Sequence, residues 1–375
     1  MKEQTYPVSG VAGAAPRCRA LIEKGIEKGV HVGAQVYASL SGEAVVDFAV
    51  GEAREGAPMT TESIAPWLSA GKPVAAVAIA QLWEAGGLDW DTPVAAVVPE
   101  FRAGGKEAVT FRHILTHTAG FRWVNLHGAG LTWESIIERI CAAPLERGWT
   151  PGKKAGYHVM TSWYILGEAV RRIDGRPYER YVRESIFEPL GMNDSWVGMP
   201  AEVYEGYGDR LVALHDTRRG KREPHRRHDA GSVLECNPGA GAHGPIRELG
   251  RFYEMLLNHG AWDGLRLLSP PAVRAIATRQ RAGMYDHTFR HTVDWGLGFI
   301  VNSNQYGADT VPYPFGRHAS EAVYGHGGQQ SSVGLADPAH DLAAAVVFNG
   351  APGEARHHKR VLAFLEGLYE DLGLA

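Results

Sequence analysis

Apolar residues recur along this chain at two different periods, and the change of period divides it. Residues 20–29 place Leu21, Ile22 and Ile26 on one side of a short amphipathic helix. Val32 to Leu40 and Ala44 to Val50 then read as two strands, with Ser41-Gly42-Glu43 as the turn between them. From Val74 to Leu88 the spacing becomes helical, through Val74, Val77, Ala78, Leu82 and Ala85, until Gly86-Gly87 stops it. Helical segments follow at Phe111–Leu115, Thr132–Ala142, Thr161–Ile173, Tyr178–Phe187 and Pro245–Asn258, each closed by Gly or Pro. Strand patterning returns at Trp295–Val301, Ser332–Ala336 and Leu342–Phe348, and Val361–Leu372 reads as a closing helix. Strands at both ends with helices between them predict an α/β (α+β) fold with one sheet built from the two termini. The expected division is a sheet subdomain of residues 1–75 and 285–375, with 76–284 as a mostly helical insertion.

Composition narrows the partners. The 375 residues are 45% hydrophobic and carry a formal net charge of −4, which supports a large core and argues against a nucleic-acid surface. No apolar run reaches the ~18 residues of a membrane span. Met1-Lys2-Glu3-Gln4-Thr5-Tyr6-Pro7 holds no apolar h-region, and Cys18, Cys141 and Cys236 are far apart and odd in number. These features predict a cytoplasmic protein with reduced thiols. His113 and His117 lie four apart, and His225, His228, His357 and His358 recur, yet no zinc spacing joins them, so no metal is expected. The run from Arg218 to His228 carries six Arg or Lys residues against Glu223; it reads as a solvated loop, or as a docking surface for an acyl-carrier protein or coenzyme A thioester.

The chemistry starts at Trp67-Leu68-Ser69-Ala70-Gly71-Lys72-Pro73, directly ahead of the apolar helix. A serine three residues before a lysine puts both side chains on one face, and the helix start turns its N–H groups toward them. That is the arrangement of a serine nucleophile with a lysine base. Tyr157, after a Pro-Gly turn and ahead of a helix, supplies a phenol that a nearby cation can hold as an anion. Tyr324-Gly325-His326-Gly327-Gly328-Gln329 precedes a strand, and its glycines let a ligand approach the backbone. No G-x-S-x-G surrounds any serine, which removes the α/β-hydrolase elbow.

Ser69-x-x-Lys72, Tyr157 and His326-Gly327-Gly328, in that order, resemble the three motifs of the serine β-lactamase and penicillin-binding-protein superfamily. The likeness is to its class C-like branch, with family VIII esterases, D-aminopeptidases and acyltransferases. Ile114-Leu115-Thr116-His117-Thr118-Ala119-Gly120-Phe121, Pro189-Leu190-Gly191-Met192 and Gly296-Leu297-Gly298-Phe299 extend it over most of the chain. The resemblance implies a mixed sheet flanked by helices, with the active site in the cleft beside an inserted helical subdomain. It assigns Ser69 as nucleophile, Lys72 as proton acceptor, Tyr157 as the relay to the leaving group, and the backbone N–H groups of Ser69 and Gln329 as oxyanion hole. His158, His326, Gly327 and Gly328 become substrate-binding positions.

Two departures from the family pattern redirect the substrate. Tyr-x-Asn is replaced by Tyr157-His158-Val159, and Lys-Thr-Gly by His326-Gly327-Gly328. A histidine is mostly uncharged near neutrality, so both changes favour a neutral ester, amide or thioester over a β-lactam or peptide carboxylate. The expected function is an esterase-type serine hydrolase or acyltransferase without a cofactor. A catalytically silent binding or sensor protein on the same fold, and a D-Ala peptidase or β-lactamase, stay open as alternatives.

Overall fold

The computed structural model describes residues 8–11, 15–126, 131–225 and 230–375. Val8–Val11 (β1) is followed by helix α1, Pro16–Glu27, and the hairpin of β2, Gly33–Leu40, and β3, Glu43–Arg54. The helix α2, Lys72–Glu84, continues directly from a 3₁₀ turn over Leu68–Gly71. Helices α3, Thr161–Asp174, and α4, Ile246–Leu257, come next. The chain then returns through β4, Ile300–Val301, β5, Tyr324–Gly327, β6, Ser332–Asp337, and β7, Leu342–Phe348, to the last helix α5, Glu354–Asp371. The strands run in the order β1-β3-β2-β7-β6-β5-β4, antiparallel throughout, so the two ends of the chain meet at the β2–β7 pair.

The period of two along β7 explains why the sheet has helices on both sides. Leu342, Ala344, Val346 and Phe348 share one core with α1 and α5, whereas Ala343, Ala345 and Val347 share the other with α2, α3 and α4. Small residues on the second face bring α4 close: a side chain on Gly250 would lie 2.1 Å from the Tyr37 ring. The helix α4 falls inside residues 76–284 but lies on the sheet, its Glu254 accepting from the Tyr37 hydroxyl at 2.7 Å and its Ile246 N–H donating to Gln35.

Three elements differ from their sequence pattern. Only Ile300–Val301 of the segment 295–301 is strand, because Gly296 N–H turns back onto Phe299 O and Gly298 adopts φ 83°. The closing helix begins at Glu354 rather than Val361; residues 354–360 are too polar to show a periodic apolar face, although His357 is buried there. Tyr324–Gly327 is itself a strand, flanked by β4 and β6. Among the described residues no helix is long and apolar enough to cross a membrane, and no cluster of three metal-ligating side chains occurs. Residues 226–229 of the basic run lie outside the described residues.

Candidate active site

The turn carrying Ser69 is built under tension and clamped from two sides. Leu68 sits at φ 51°, a left-handed conformation that costs a branched residue ~1–3 kcal/mol and persists only where the surroundings enforce it. Trp67 enforces it: its backbone N–H donates to Ala242 O at 2.9 Å and its indole N–H to Gly244 O at 3.0 Å. On the other side, the Ser332 hydroxyl of β6 donates to Trp67 O at 2.5 Å. Ser69 thus stands in the first turn of a 3₁₀ segment, where backbone N–H groups have no acceptor within the helix.

Lys72 is fully buried and donates from Nζ to Ser69 Oγ at 3.0 Å and to Gly239 O. The same nitrogen lies 5.3 Å from the ring centres of Tyr157 and Trp163. Gly239 belongs to a turn that Asn237 organises, its Oδ1 accepting from the N–H groups of Gly239 and Ala240 at 3.0 and 3.1 Å. Sequence reading missed this turn, although Asn237-Pro238-Gly239 is a turn signal ahead of Ala242–Gly244.

Tyr157 is positioned through its backbone and its ring faces. Its N–H donates to Asp286 Oδ1 at 3.0 Å, and its carbonyl accepts from the Thr288 hydroxyl at 2.9 Å. Asp286 Oδ1 also accepts from the N–H groups of Thr288 and Phe289, while Oδ2 pairs with the buried Arg281 at 3.1 Å. Arg281 reaches on to Thr116 O, and burial lowers it only to about 10, so the guanidinium stays charged at neutrality. Phe289 and Trp295 stack on the tyrosine ring at 4.6 and 5.8 Å. His117, at φ 57°, tilts against it at 4.7 Å and accepts Gly156 N–H on its carbonyl. The Leu115-Thr116-His117-Thr118 segment therefore serves as the bed of the Tyr157 loop. Asp286 and Arg281 had no sequence signal, being far from Tyr157 along the chain.

Two positions expected to meet substrate lie elsewhere. His158 is fully buried; its Nε2 accepts from the N–H groups of Gly120 and Phe121, both at 3.2 Å, and its N–H donates to His117 Nδ1 at 3.1 Å. It closes the loop core rather than reaching the cleft. His326 is also buried, with Nδ1 2.8 Å from Gly327 O, behind Tyr157, Trp295 and Tyr313. Gly327 and Gly328 allow close packing: an added side chain would meet the Tyr313 ring at 2.1 Å in one case and Trp67 O at 2.4 Å in the other. Gly328→Ala must therefore push β5 away from the turn carrying Ser69. We expect ~10²-fold lower kcat, the scale of a lost oxyanion donor, with a lower Tm, measured by ester kinetics and thermal unfolding.

Ser69, Tyr157 and Gln329 line one cavity of about 570 Å³ that extends to Tyr313 and the start of α5. A second cavity of about 460 Å³ adjoins it, sharing Leu68 and Val159, and includes the exposed Trp123. Trp163 is buried under Lys72, and Trp149 donates to Thr118 O and stacks on Arg122. His113 caps the helix over Phe111–Leu115.

Burial holds these histidines neutral, and this has a measurable consequence. It pushes His31, His158 and His326 to about 3 and His243 to about 4. Below pH ~6.5 the unfolded chain protonates these groups and the folded chain does not, so stability falls as pH drops from there toward 4. Glu248, raised to about 7 by burial, acts in the opposite sense between pH ~4.5 and 7, as does Asp47, also raised by burial, but seven histidines held down by burial outnumber these two. We expect a lower Tm at pH 5 than at pH 8, with net proton uptake on unfolding at pH 5, measured by calorimetry in buffers of different ionisation enthalpy.

Known proteins share this fold over nearly the whole chain. The esterase EstB of Burkholderia gladioli is 28% identical over 361 residues, covering 84% of this chain and 86% of that protein. The esterase/beta-lactamase LipL of Mycobacterium tuberculosis is 26% identical over 83% of this chain and 75% of its own length. A penicillin-binding protein homologue from Caulobacter crescentus superposes with a TM-score of 0.83 at 28% identity, covering 97% of this chain and all of that one. A family VIII carboxylesterase shares the fold with a TM-score of 0.81 at 24% identity, over 97% and 100% of the two chains. The Beta-lactamase family model matches residues 18–367, and with the strand order and the Ser69-to-Lys72 turn in place, the chain belongs to the Beta-lactamase family.

Proposed function

We propose that this protein is an esterase-type serine hydrolase that works through an acyl-Ser69 intermediate. The observation that carries the reading is the Lys72 Nζ to Ser69 Oγ contact of 3.0 Å, on the wall of the 570 Å³ cleft that Tyr157 and Gln329 also line. Ser69 Oγ attacks the ester carbonyl and its proton passes to the neutral amine of Lys72. Tetrahedral charge forms against the Ser69 and Gln329 N–H groups, and Tyr157 relays a proton to the departing alkoxide. The C–O bond to the alcohol breaks, and water activated through Tyr157 and Lys72 then releases the acid. An alcohol or amine in place of water gives acyl transfer by the same steps.

The cleft favours an uncharged substrate. Among the described residues lining it there is no Lys or Arg, and Glu354 stands at its far end. His326, at the position of the family's lysine, is neutral and sealed from the cleft. The nearest arginine stands in the adjoining cavity, at Arg122, so the cleft beside Ser69 favours a neutral ester over a D-Ala peptide or a β-lactam. A coenzyme A or acyl-carrier donor gains little support from the basic run, where Arg218 pairs with Asp216 and Arg222 with Glu52. A cytoplasmic location is consistent with the unpaired thiols of Cys18, Cys141 and Cys236.

The test is a substrate comparison. With p-nitrophenyl butyrate and a chromogenic cephalosporin, kcat/KM for the ester exceeds that for the lactam by ~10²-fold or more, since one unmet charge costs a few kcal/mol. Equal or inverted values contradict the esterase reading, and no turnover of either favours the binding protein.

A further inference from the structure

A third cavity, of about 520 Å³, lies on the opposite face of the sheet from Lys72, between α1 and α5. That volume falls within the ~300–1,000 Å³ of small-molecule sites. Its wall is apolar where Leu21, Ile22, Phe348 and Phe364 meet, and its rim is cationic, with Lys24, Lys28, Arg356 and Lys359. Among the described residues no carboxylate lines it, and none of those four cations is in an ion pair.

Arg360 makes the charge imbalance sharper. Its guanidinium lies over the Phe348 ring at 4.2 Å and donates only to neutral acceptors. Nη2 reaches His357 Nδ1 at 2.8 Å, Gly350 O at 3.1 Å and Gln330 O at 3.2 Å, and Nη1 reaches His31 Nδ1 at 3.3 Å and Val30 O at 3.4 Å. Its Nε is buried without a hydrogen-bond partner among the described residues. Burial and this same cation hold both histidines neutral. A desolvated guanidinium normally finds a carboxylate or phosphate that fits its planar fork, and here five cations surround an apolar wall with no anion supplied by the chain.

We propose that the groove between α1 and α5 binds an amphipathic carboxylate, a medium-chain fatty-acid anion. Its head group is held by Arg360 and the rim lysines, and its alkyl chain lies on Leu21, Ile22 and Phe364. The site meets the Ser69 cleft only through His357, which lines that cleft and accepts from Arg360, and it does not depend on the esterase reading. Its cationic rim is exposed, so affinity falls with salt as the Debye length shortens from ~10 Å at 0.1 M to ~3 Å at 1 M.

The test is a titration of the full chain with decanoate, followed by methyl NMR. Ile22 reports the groove, and Val159 and Val333 report the Ser69 cleft. We expect the Ile22 methyl to shift saturably with decanoate, and acetate and decanol to leave it in place, since each lacks one half of the ligand. The double variant Lys24→Glu/Lys359→Glu weakens the decanoate Kd about tenfold or more; Arg360 is left intact because it also holds the Gln330 loop. An unmoved Ile22, shifts confined to Val159 and Val333, an equal response to decanol, or an unchanged Kd in the double variant would each overturn the proposal.

Discussion

Ser69→Ala abolishes ester turnover, with kcat falling ~10⁴-fold or more, while Tm moves by no more than a few degrees. The size follows from the chemistry: without Oγ no acyl-enzyme forms, and what is left is the acceleration that N–H donors and substrate binding give to attack by water. The small change in stability follows from the site. The hydroxyl meets Lys72, which keeps its contact with Gly239 O, and alanine fits the 3₁₀ turn without a new clash. Steady-state kinetics and thermal unfolding on the same preparation separate the two effects. Wild-type turnover in this variant would remove Ser69 from the mechanism.

Lys72→Met lowers kcat ~10³-fold, within the range for loss of a positioned general base. Methionine retains most of the volume of a fully buried side chain packed between Tyr157 and Trp163, so the helix start is preserved. Gly239 O loses its donor in this variant, at a cost of ~1–3 kcal/mol. Lys72→Arg does not restore activity, because a guanidinium stays protonated and cannot accept the serine proton. If both variants keep kcat within a factor of ~3, Lys72 is structural and the base lies elsewhere.

Local features carry much of the fold in the chain itself. The hairpin of β2 and β3, the α2 start at Ser69 to Lys72 and the two-faced strand β7 all follow from spacing that a linear reading detects. What the chain concealed depends on contacts between distant segments. Lys72 and Gly239 are 167 residues apart, and Tyr157 and Asp286 are 129 apart, with no motif linking either pair. His158 and His326 looked like cleft residues because they neighbour Tyr157 and a glycine pair. Burial turns both rings into the core, where the neutral imidazole satisfies backbone groups instead. The early start of α5 was hidden for a related reason: His357 is a polar residue on a buried face, and apolar periodicity does not register it.

Intact-mass spectrometry of the protein quenched in acid during turnover of p-nitrophenyl butyrate tests the central claim most directly. The account predicts a single butyryl adduct on the wild type, mapped by peptide fragmentation to Ser69 and missing from Ser69→Ala, accompanied by a burst of p-nitrophenol matching the enzyme concentration. An adduct on another residue, or one that persists in Ser69→Ala, would contradict it.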